Sequence, residues 1–296
     1  MRSLLGYIPF RIAAGVFGLF PEPWVRRIGE WAGKRAAGRD NAKTALLAGH
    51  MRRVRGSDVS AEQVSRDVTN MYESYGRYWA ETFWLRKRRH DAIIDRIERV
   101  NFEPVFRAKD EGKGIIFAVP HMGNWEVAGL IADEIGVRAL AVAEDLSNKR
   151  ITDWFLRVRN SVGIDIVLTS DPSRQSKLVR RLKGGGAIAL LADRDVLGTG
   201  HSVEFFGDVT RMPTGPAALA VLTGASLIPV SAYFREGAGH RLVVRNPVPI
   251  PDIADRSEKV ASVARALALE LEELIRLDPP QWHLFQPNWP GDEGYR

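Results

Sequence analysis

From about residue 100 onward, short apolar runs alternate with longer stretches of helical period, and that alternation leaves few folds open to the chain. GIIFAVP (114–120), VRALAVA (137–143), IDIVL (164–168), AIALLA (187–192) and SLIPVSAYF (226–234) are the apolar runs. Runs of this length, bounded by glycine, proline or polar residues, read as strands buried on both faces. Between them NWEVAGLIADEIG, NKRITDWFLRVRNSVG and PSRQSKLVRRLKGGG read as helices. The alternation predicts an α/β fold: a central, mainly parallel sheet flanked by helices. GHRLVVRN (239–246) predicts an antiparallel edge strand, and a last amphipathic helix is expected near 257–277, before the tail PPQWHLFQPNWP.

Residues 1–100 read differently, as a helical N-terminal region with few strand signals. With 296 residues, 45% of them hydrophobic, no internal repeat and no low-complexity linker, the expectation is one domain over 1–296, its α/β core occupying 101–296. In SAEQVSRDVTNMYESYGRYWAETFWL, Ser60 is an N-cap candidate with Gln63 three places on, a capping box. Tyr72, Tyr75, Trp79 and Phe83 then form an amphipathic stripe. Such a stripe reads as core, with the wall of an acyl-chain groove as the alternative. The basic run LRKRRH (85–90) reads as a solvated face that can also meet anionic lipid. KGGGA (183–187) precedes a strand and lacks the closing Gly-Lys-Ser/Thr of a phosphate loop, so it reads as a helix-ending turn.

The chain has no cysteine, which excludes disulfides, thiolate metal sites and a cysteine nucleophile and fits a cytoplasmic setting. Its 42 Lys+Arg against 36 Asp+Glu give +6, a balance that favours phosphate-bearing partners. No helix-turn-helix, RNP or zinc signature accompanies the charge, so nucleic acid is set aside. The N-terminal run SLLGYIPFRIAAGVFGLF (3–20) is apolar, but Arg11 sits in its middle and Pro9 breaks it. A spanning helix wants ~20 apolar residues and tolerates a central charge poorly. The expectation is therefore a helix lying in the membrane interface, with Arg2, Arg11, Arg26 and Arg27 near headgroups on the cytoplasmic side of the cell membrane. A buried N-terminal helix is the alternative.

The chemistry-bearing segment is HMGNWE (121–126). In open α/β sheets, sites form at the carboxyl ends of strands, where loops meet helix N-termini. His121 follows the strand GIIFAVP, and Glu126 falls in the first turn of the next helix. A carboxylate there is expected to accept Nδ1–H, fix the tautomer and leave Nε2 free to take a proton from an attacking hydroxyl. The chain lacks G-x-S-x-G, and Ser161 and Ser170 sit in no nucleophile elbow, so direct transfer is the simpler expectation than hydrolysis.

In this order the chain resembles the lysophospholipid acyltransferase superfamily, with its His-x4-Asp/Glu motif. Within it, HMGNWE, LLADRD (190–195), VEFFGDVTRMPTGPAALA (203–220), SLIPV (226–230) and WHLFQPNW (282–289) resemble the lipid A late-acyltransferase branch, and above all the actinobacterial phosphatidylinositol mannoside acyltransferases. The resemblance implies transfer of an acyl group from acyl-CoA, or acyl carrier protein, to a sugar hydroxyl of a glycolipid acceptor, most of all a mannose of phosphatidylinositol mannoside. It implies acyl-CoA as a co-substrate, with no resident cofactor. The mannoside branch has Asp where this chain has Glu126, as the lipid A branch does, which loosens the choice of acceptor.

The same resemblance places Arg159 near the catalytic pair, for donor phosphate or the oxyanion. It matches Asp195 to an acidic position that orients acceptor or histidine. Asp193 and Arg194 follow the same strand and project at the same sheet edge. Glu204 is a second candidate carboxylate, and Arg211 with Thr214 is expected at the substrate cleft. The amides of Gly123 and Asn124 are candidate oxyanion donors. His50 and His90 lie in basic helical stretches, His201 in a polar loop, His240 at the start of the edge strand and His283 in the tail. No pair has metal-ligand spacing, so no metal is expected. A non-catalytic, membrane-peripheral lipid-binding protein is the rival from another class; it leaves His121 without a task.

Overall fold

The computed structural model describes residues 2–39, 41–196 and 198–295. The chain begins with helices α1 (Arg2–Phe17), α2 (Glu22–Ala36), α3 (Asn41–Arg55), α4 (Ala61–Trp84) and the short α5 (His90–Ile94). Strand β1 (Ile97–Val100), α6 (Glu103–Asp110), β2 (Ile115–Val119), α7 (Trp125–Glu134), β3 (Ala139–Ala143), α8 (Lys149–Ser161), β4 (Ile164–Leu168), α9 (Arg174–Lys183) and β5 (Ala187–Leu191) follow. The chain then makes β6 (His201–Phe205), β7 (Asp208–Met212), α10 (Gly215–Thr223), β8 (Ser226–Phe234), β9 (His240–Val244) and α11 (Arg256–Leu277).

The apolar runs become strands because both of their faces are covered. The central sheet has seven strands in the order β1-β9-β8-β2-β5-β3-β4. β8, β2, β5, β3 and β4 are parallel, and β9 runs antiparallel to β8. Along β2 the alternation of period two sends Ile116 and Ala118 to one face. There they join Leu178, Leu219 and Leu271 from α9, α10 and α11. Ile115 and Phe117 go to the other face, with Val105 of α6. α7 covers the same side through Val127, Leu130 and Ile131. The sheet is thus central and mainly parallel, with helices on both faces.

Four details differ from expectation. IERV becomes β1, a strand inside the stretch read as helical, and it pairs parallel with β9, so β9 is not an edge. Its alternation of apolar and charged residues, in only four positions, carries too little signal to stand out. β6 and β7 form a separate antiparallel hairpin that no apolar run announced. His201 is therefore the first residue of a strand, not of a polar loop. α1 runs through position 9 without a break. Pro9 lies past the first turn of α1, so it removes one interior i→i−4 hydrogen bond without ending the helix.

The N-terminal helices are fastened to the core by specific contacts. α2 and α4 approach so closely that a Cβ on Gly33 would collide with the backbone of Tyr72, and one on Gly76 with that of Gly29. Ser60 caps α4 by accepting the Gln63 N–H at 3.1 Å, while the Gln63 side chain turns to Asp67, so the capping box forms only in one direction. Of the aromatic stripe, Tyr72 is buried. Trp79 and Phe83 pack on Phe155 and Trp154 of α8, and Phe10 of α1 joins them at 5.0 Å from Phe83. From the basic run, Arg86 and Arg89 donate to the carbonyls of Ala14 and Gly18, at 2.7 and 2.9 Å, and so cap the end of α1. The side chain of Arg2, expected at headgroup level, lies outside the described residues.

Candidate active site

Two neighbouring parallel strands deliver the site. β2 and β5 pair in register through Val119 and Leu191, and the Ala192 N–H extends the ladder to the Val119 carbonyl at 2.9 Å. The residues that follow, His121 and Asp193, must then emerge side by side at the carboxyl edge of the sheet. His121 Nδ1 lies 2.7 Å from Asp193 Oδ1, and its backbone N–H donates to Oδ2 at 2.9 Å. The Trp282 indole N–H donates to the same Oδ2 at 2.7 Å.

Asp193 is fully buried. Burial pushes its carboxyl up, but the His121 charge and the hydrogen bonds from His121 and Trp282 outweigh it and hold the group below the usual aspartate range. An ionised carboxylate requires a proton on Nδ1, which leaves Nε2 as the lone-pair nitrogen. The His121 side chain keeps 21% exposure, enough for Nε2 to meet a substrate. This is the base half of a triad with no protein nucleophile beside it.

Glu126 does not take the part expected of it. Its position in the first turn of α7 turns the fully buried carboxylate toward α8, where Arg159 donates Nε and Nη2 to it at 3.1 and 3.0 Å. Tyr78 of α4 completes the group with its hydroxyl 3.4 Å from Glu126. Burial disfavours the Arg159 charge, yet the Glu126 carboxylate more than compensates and raises the guanidinium above its ordinary value. Burial and the same carboxylate push the Tyr78 phenol well up, so it stays a neutral donor. The carboxylate that orients His121 is therefore Asp193, because the strand pairing brings it there and the turn of α7 takes Glu126 away.

The other expected residues divide. Arg159 lies at the site, as the partner of Glu126. Asp195, two residues past Asp193, folds its own loop instead, accepting the Gly198 and Gly200 amides at 3.1 and 2.6 Å. Arg211 steadies that loop by donating to the Gly198 carbonyl at 3.2 Å. Arg194 is half-buried beside Asp193, while Glu204 is exposed on β6, opposite Val209. The Gly123 amide is not available to an oxyanion, since it donates to the Gln281 carbonyl at 2.9 Å. Gly123 has φ of 51° and presses against the Ala232 backbone, a place no side chain fits. The Asn124 side chain is buried and donates to Glu81 at 3.0 Å. Burial alone would raise the Glu81 carboxyl; His240 and Arg77 bring it down to about 2.

Two residues of the tail motif WHLFQPNW, to which no role was given, complete the surroundings. Trp282 holds Asp193, and buried His283 donates its backbone N–H to the His121 carbonyl at 2.7 Å. The His283 ring contacts the Ser74 hydroxyl at 2.7 Å, and burial pushes it down to about 3, leaving it neutral. Only the pairing of β2 with β5 and the return of the tail across them make these residues visible. Among the described residues no cluster of three or more His, Asp or Glu could hold a metal ion.

An apolar groove opens at this edge and runs beneath α7 along the sheet. Its mouth is lined by Trp125, Glu126, Arg159 and Leu191. Its depth is lined by Ala128, Gly129 and Ala132 of α7 facing Ala139, Ala141 and Ala189 of the sheet, and by Phe102, Val105 and Ile135 at the opposite edge. Small side chains on both walls leave a space that larger ones would fill. The N-terminal stripe does not line it; the groove lies under α7.

Sequence similarity to known proteins extends over most of the chain. A phosphatidylinositol mannoside acyltransferase of Mycolicibacterium smegmatis is 33% identical over 294 residues, 98% of this chain and 89% of that protein. One from Mycobacterium tuberculosis is 37% identical over 224 residues, covering 74% of this chain and 69% of that protein. A lipid A biosynthesis acyltransferase of Haemophilus influenzae is 24% identical over 291 residues, 94% and 82% of the two chains. The match to the family described as bacterial lipid A biosynthesis acyltransferase extends over residues 7–290, from α1 to the tail that closes on Asp193, and the chain belongs to that family.

Proposed function

We propose that this acyltransferase moves a long-chain acyl group from acyl-CoA to a mannose hydroxyl of a phosphatidylinositol mannoside, with His121 as general base. The observation that carries this reading is a buried, ionised Asp193 gripping His121, whose ring lies 5.7 Å from that of Trp125, a residue that lines the apolar groove. The acyl chain enters the groove and leaves its thioester carbonyl beside His121. Nε2 removes the proton of the acceptor hydroxyl as its oxygen forms the new C–O bond. The C–S bond breaks as the tetrahedral intermediate collapses, and the imidazolium returns the proton to the thiolate. Glu126 fixes Arg159 through Nε and Nη2, which leaves Nη1 as the candidate donor to the oxyanion. The mannoside acceptor is supported by the 33% and 37% identities to enzymes of that name.

The acceptor is a membrane lipid, and exposed stripes on α1 and α2 suit a bilayer. Ile8, Ile12 and Val16 of α1 and Trp24, Ile28 and Trp31 of α2 are exposed together with Arg11 and Arg27. Among the described residues no helix is long and apolar enough to cross a membrane. Exposed apolar and aromatic side chains mixed with arginines fit a peripheral seat in the interface of the cytoplasmic leaflet. α1 packs on α8, the helix that carries Arg159, so this seat lies beside the groove.

The test is thiol release from palmitoyl-CoA by the purified protein, with and without a mannosylated phosphatidylinositol acceptor, for wild type and His121→Ala. Release that needs the acceptor and falls by ~10²–10⁴-fold in the variant is expected. Release independent of the acceptor, or unchanged in the variant, contradicts the reading.

A further inference from the structure

The segment after α11 returns across the carboxyl edge of the sheet and binds the backbone on both sides of the catalytic histidine. The Gly123 N–H meets the Gln281 carbonyl at 2.9 Å, Met122 and Trp282 form an antiparallel bridge, and the His283 N–H meets the His121 carbonyl at 2.7 Å. This places the fully buried Trp282 beneath Asp193, with its indole N–H 2.7 Å from Oδ2. Asn288 adds a contact from the same segment, donating to the Asp193 carbonyl at 3.3 Å.

The two oxygens of Asp193 are thereby made unequal. Oδ2 receives the His121 amide and the Trp282 indole, while Oδ1 receives the imidazole. We propose that Trp282 is the positioning residue of the dyad, its N–H fixing the rotation of the Asp193 carboxylate and drawing off part of its charge. The ring of Trp282 packs on Phe205, Phe206 and Trp289, at 6.1, 5.9 and 6.2 Å between centroids. That packing needs the ring and not its N–H, so the two roles separate chemically.

Without the N–H, the carboxylate is freer to turn and its charge is less dispersed. Its own proton affinity rises, and it stabilises the imidazolium more, so both effects carry the dyad's titration to higher pH. The other titratable groups packed around the dyad and Trp282 are neutral His283 from the tail, Tyr78 from α4, the Glu126–Arg159 pair from α7 and α8, and His50 of α3, whose ring lies 5.8 Å from that of Trp282 and whose Nε2 meets Asp292. None of them contacts the indole N–H.

The inference rests on the acyltransferase reading only for its kinetic arm. The test uses Trp282→Phe and a second variant with 3-benzothienylalanine at 282, which keeps the bicyclic ring and lacks only the N–H. Two quantities are read: kcat for acyl transfer, and the titration of the His121 ring carbon Cε1 by NMR without substrate, assigned with His121→Gln. The benzothienyl variant is expected to melt close to wild type. Its kcat should fall by roughly 10-fold, about the worth of one hydrogen bond to a charged group, with KM little changed. Its His121 titration should move up by about half a unit or more. Trp282→Phe should do the same if it folds. An unmoved titration in the benzothienyl variant overturns the proposal whatever kcat does, because loss of packing alone does not move it. A moved titration without activity in wild type leaves the positioning role standing and refutes the substrate assignment instead.

Discussion

Asp193 stands at 0% exposure and His283 at 4%, and burial acts on them in opposite ways. Taking a carboxylate out of water costs several kcal/mol unless donors replace the solvent. Asp193 has three donors, so its charge persists. His283 has no carboxylate beside it, and burial, reinforced by the His121 charge, lowers it from 6.5 to about 3. Between those values the unfolded chain binds a proton that the folded chain refuses. The stability that neutral His283 confers is therefore complete above 6.5 and is lost as pH falls toward 3. His283→Gln, which can still meet Ser74, should flatten the fall of melting temperature over that window. An identical slope in both proteins contradicts the assignment. Glu126→Gln loses the anion that holds Arg159, and acyl transfer should fall by at least about 10-fold, as expected when a buried charge pair is broken. Turnover within twofold of wild type excludes that role.

At the scale of elements, the strands of the parallel sheet were legible because burial on both faces writes itself as an apolar run. β1 and the β6–β7 hairpin were not. IERV and DVTRM carry charged residues on their exposed faces and look like connections. The order of the strands was also beyond the reach of periodicity. HMGNWE singled out His121, and its spacing suggested Glu126 as the partner; the structure pairs the ring with Asp193 instead, 72 residues on and just past the neighbouring strand, a pairing that proximity in sequence hides. The groove under α7 was equally hidden, because Ala128 and Ala132 of α7 and Ala139, Ala141, Ala189 and Ala232 of three strands become its walls only after folding. It yields a direct prediction. Ala141→Leu fills the groove and should lower kcat/KM for palmitoyl thioesters by about 10-fold or more, at ~0.8 kcal/mol for each methylene kept from burial. An octanoyl thioester should be spared. Equal losses for both chain lengths remove the groove from the account.

For the molecule as a whole, α1 and α2 pack on α4 and α8 by one side and expose large apolar side chains on the other. Trp24 and Trp31 are 59% and 64% exposed, on a chain that otherwise buries Trp282 and Trp289 completely. Indoles at the surface are at home at the level of lipid headgroups. Trp24→Ala with Trp31→Ala should weaken sedimentation with vesicles containing anionic lipid by about 10-fold or more, on the area buried by two indoles. The wild-type affinity should also fall as salt rises, because Arg11 and Arg27 contribute screened attraction. Binding unaffected by the double variant would move the membrane seat to another face.

The account rests on Asp193, and not Glu126, orienting His121 for proton removal. The most direct measurement is the single-turnover rate of acyl transfer by Asp193→Asn, with folding checked by melting temperature. An asparagine there can keep the shape of the site but not the charge, and can present its NH₂ to Nδ1 and so favour the wrong tautomer. The rate should fall by ~10²–10⁴-fold, in line with the loss of an oriented base. A folded Asp193→Asn protein that transfers acyl groups within a few-fold of wild type would contradict the account.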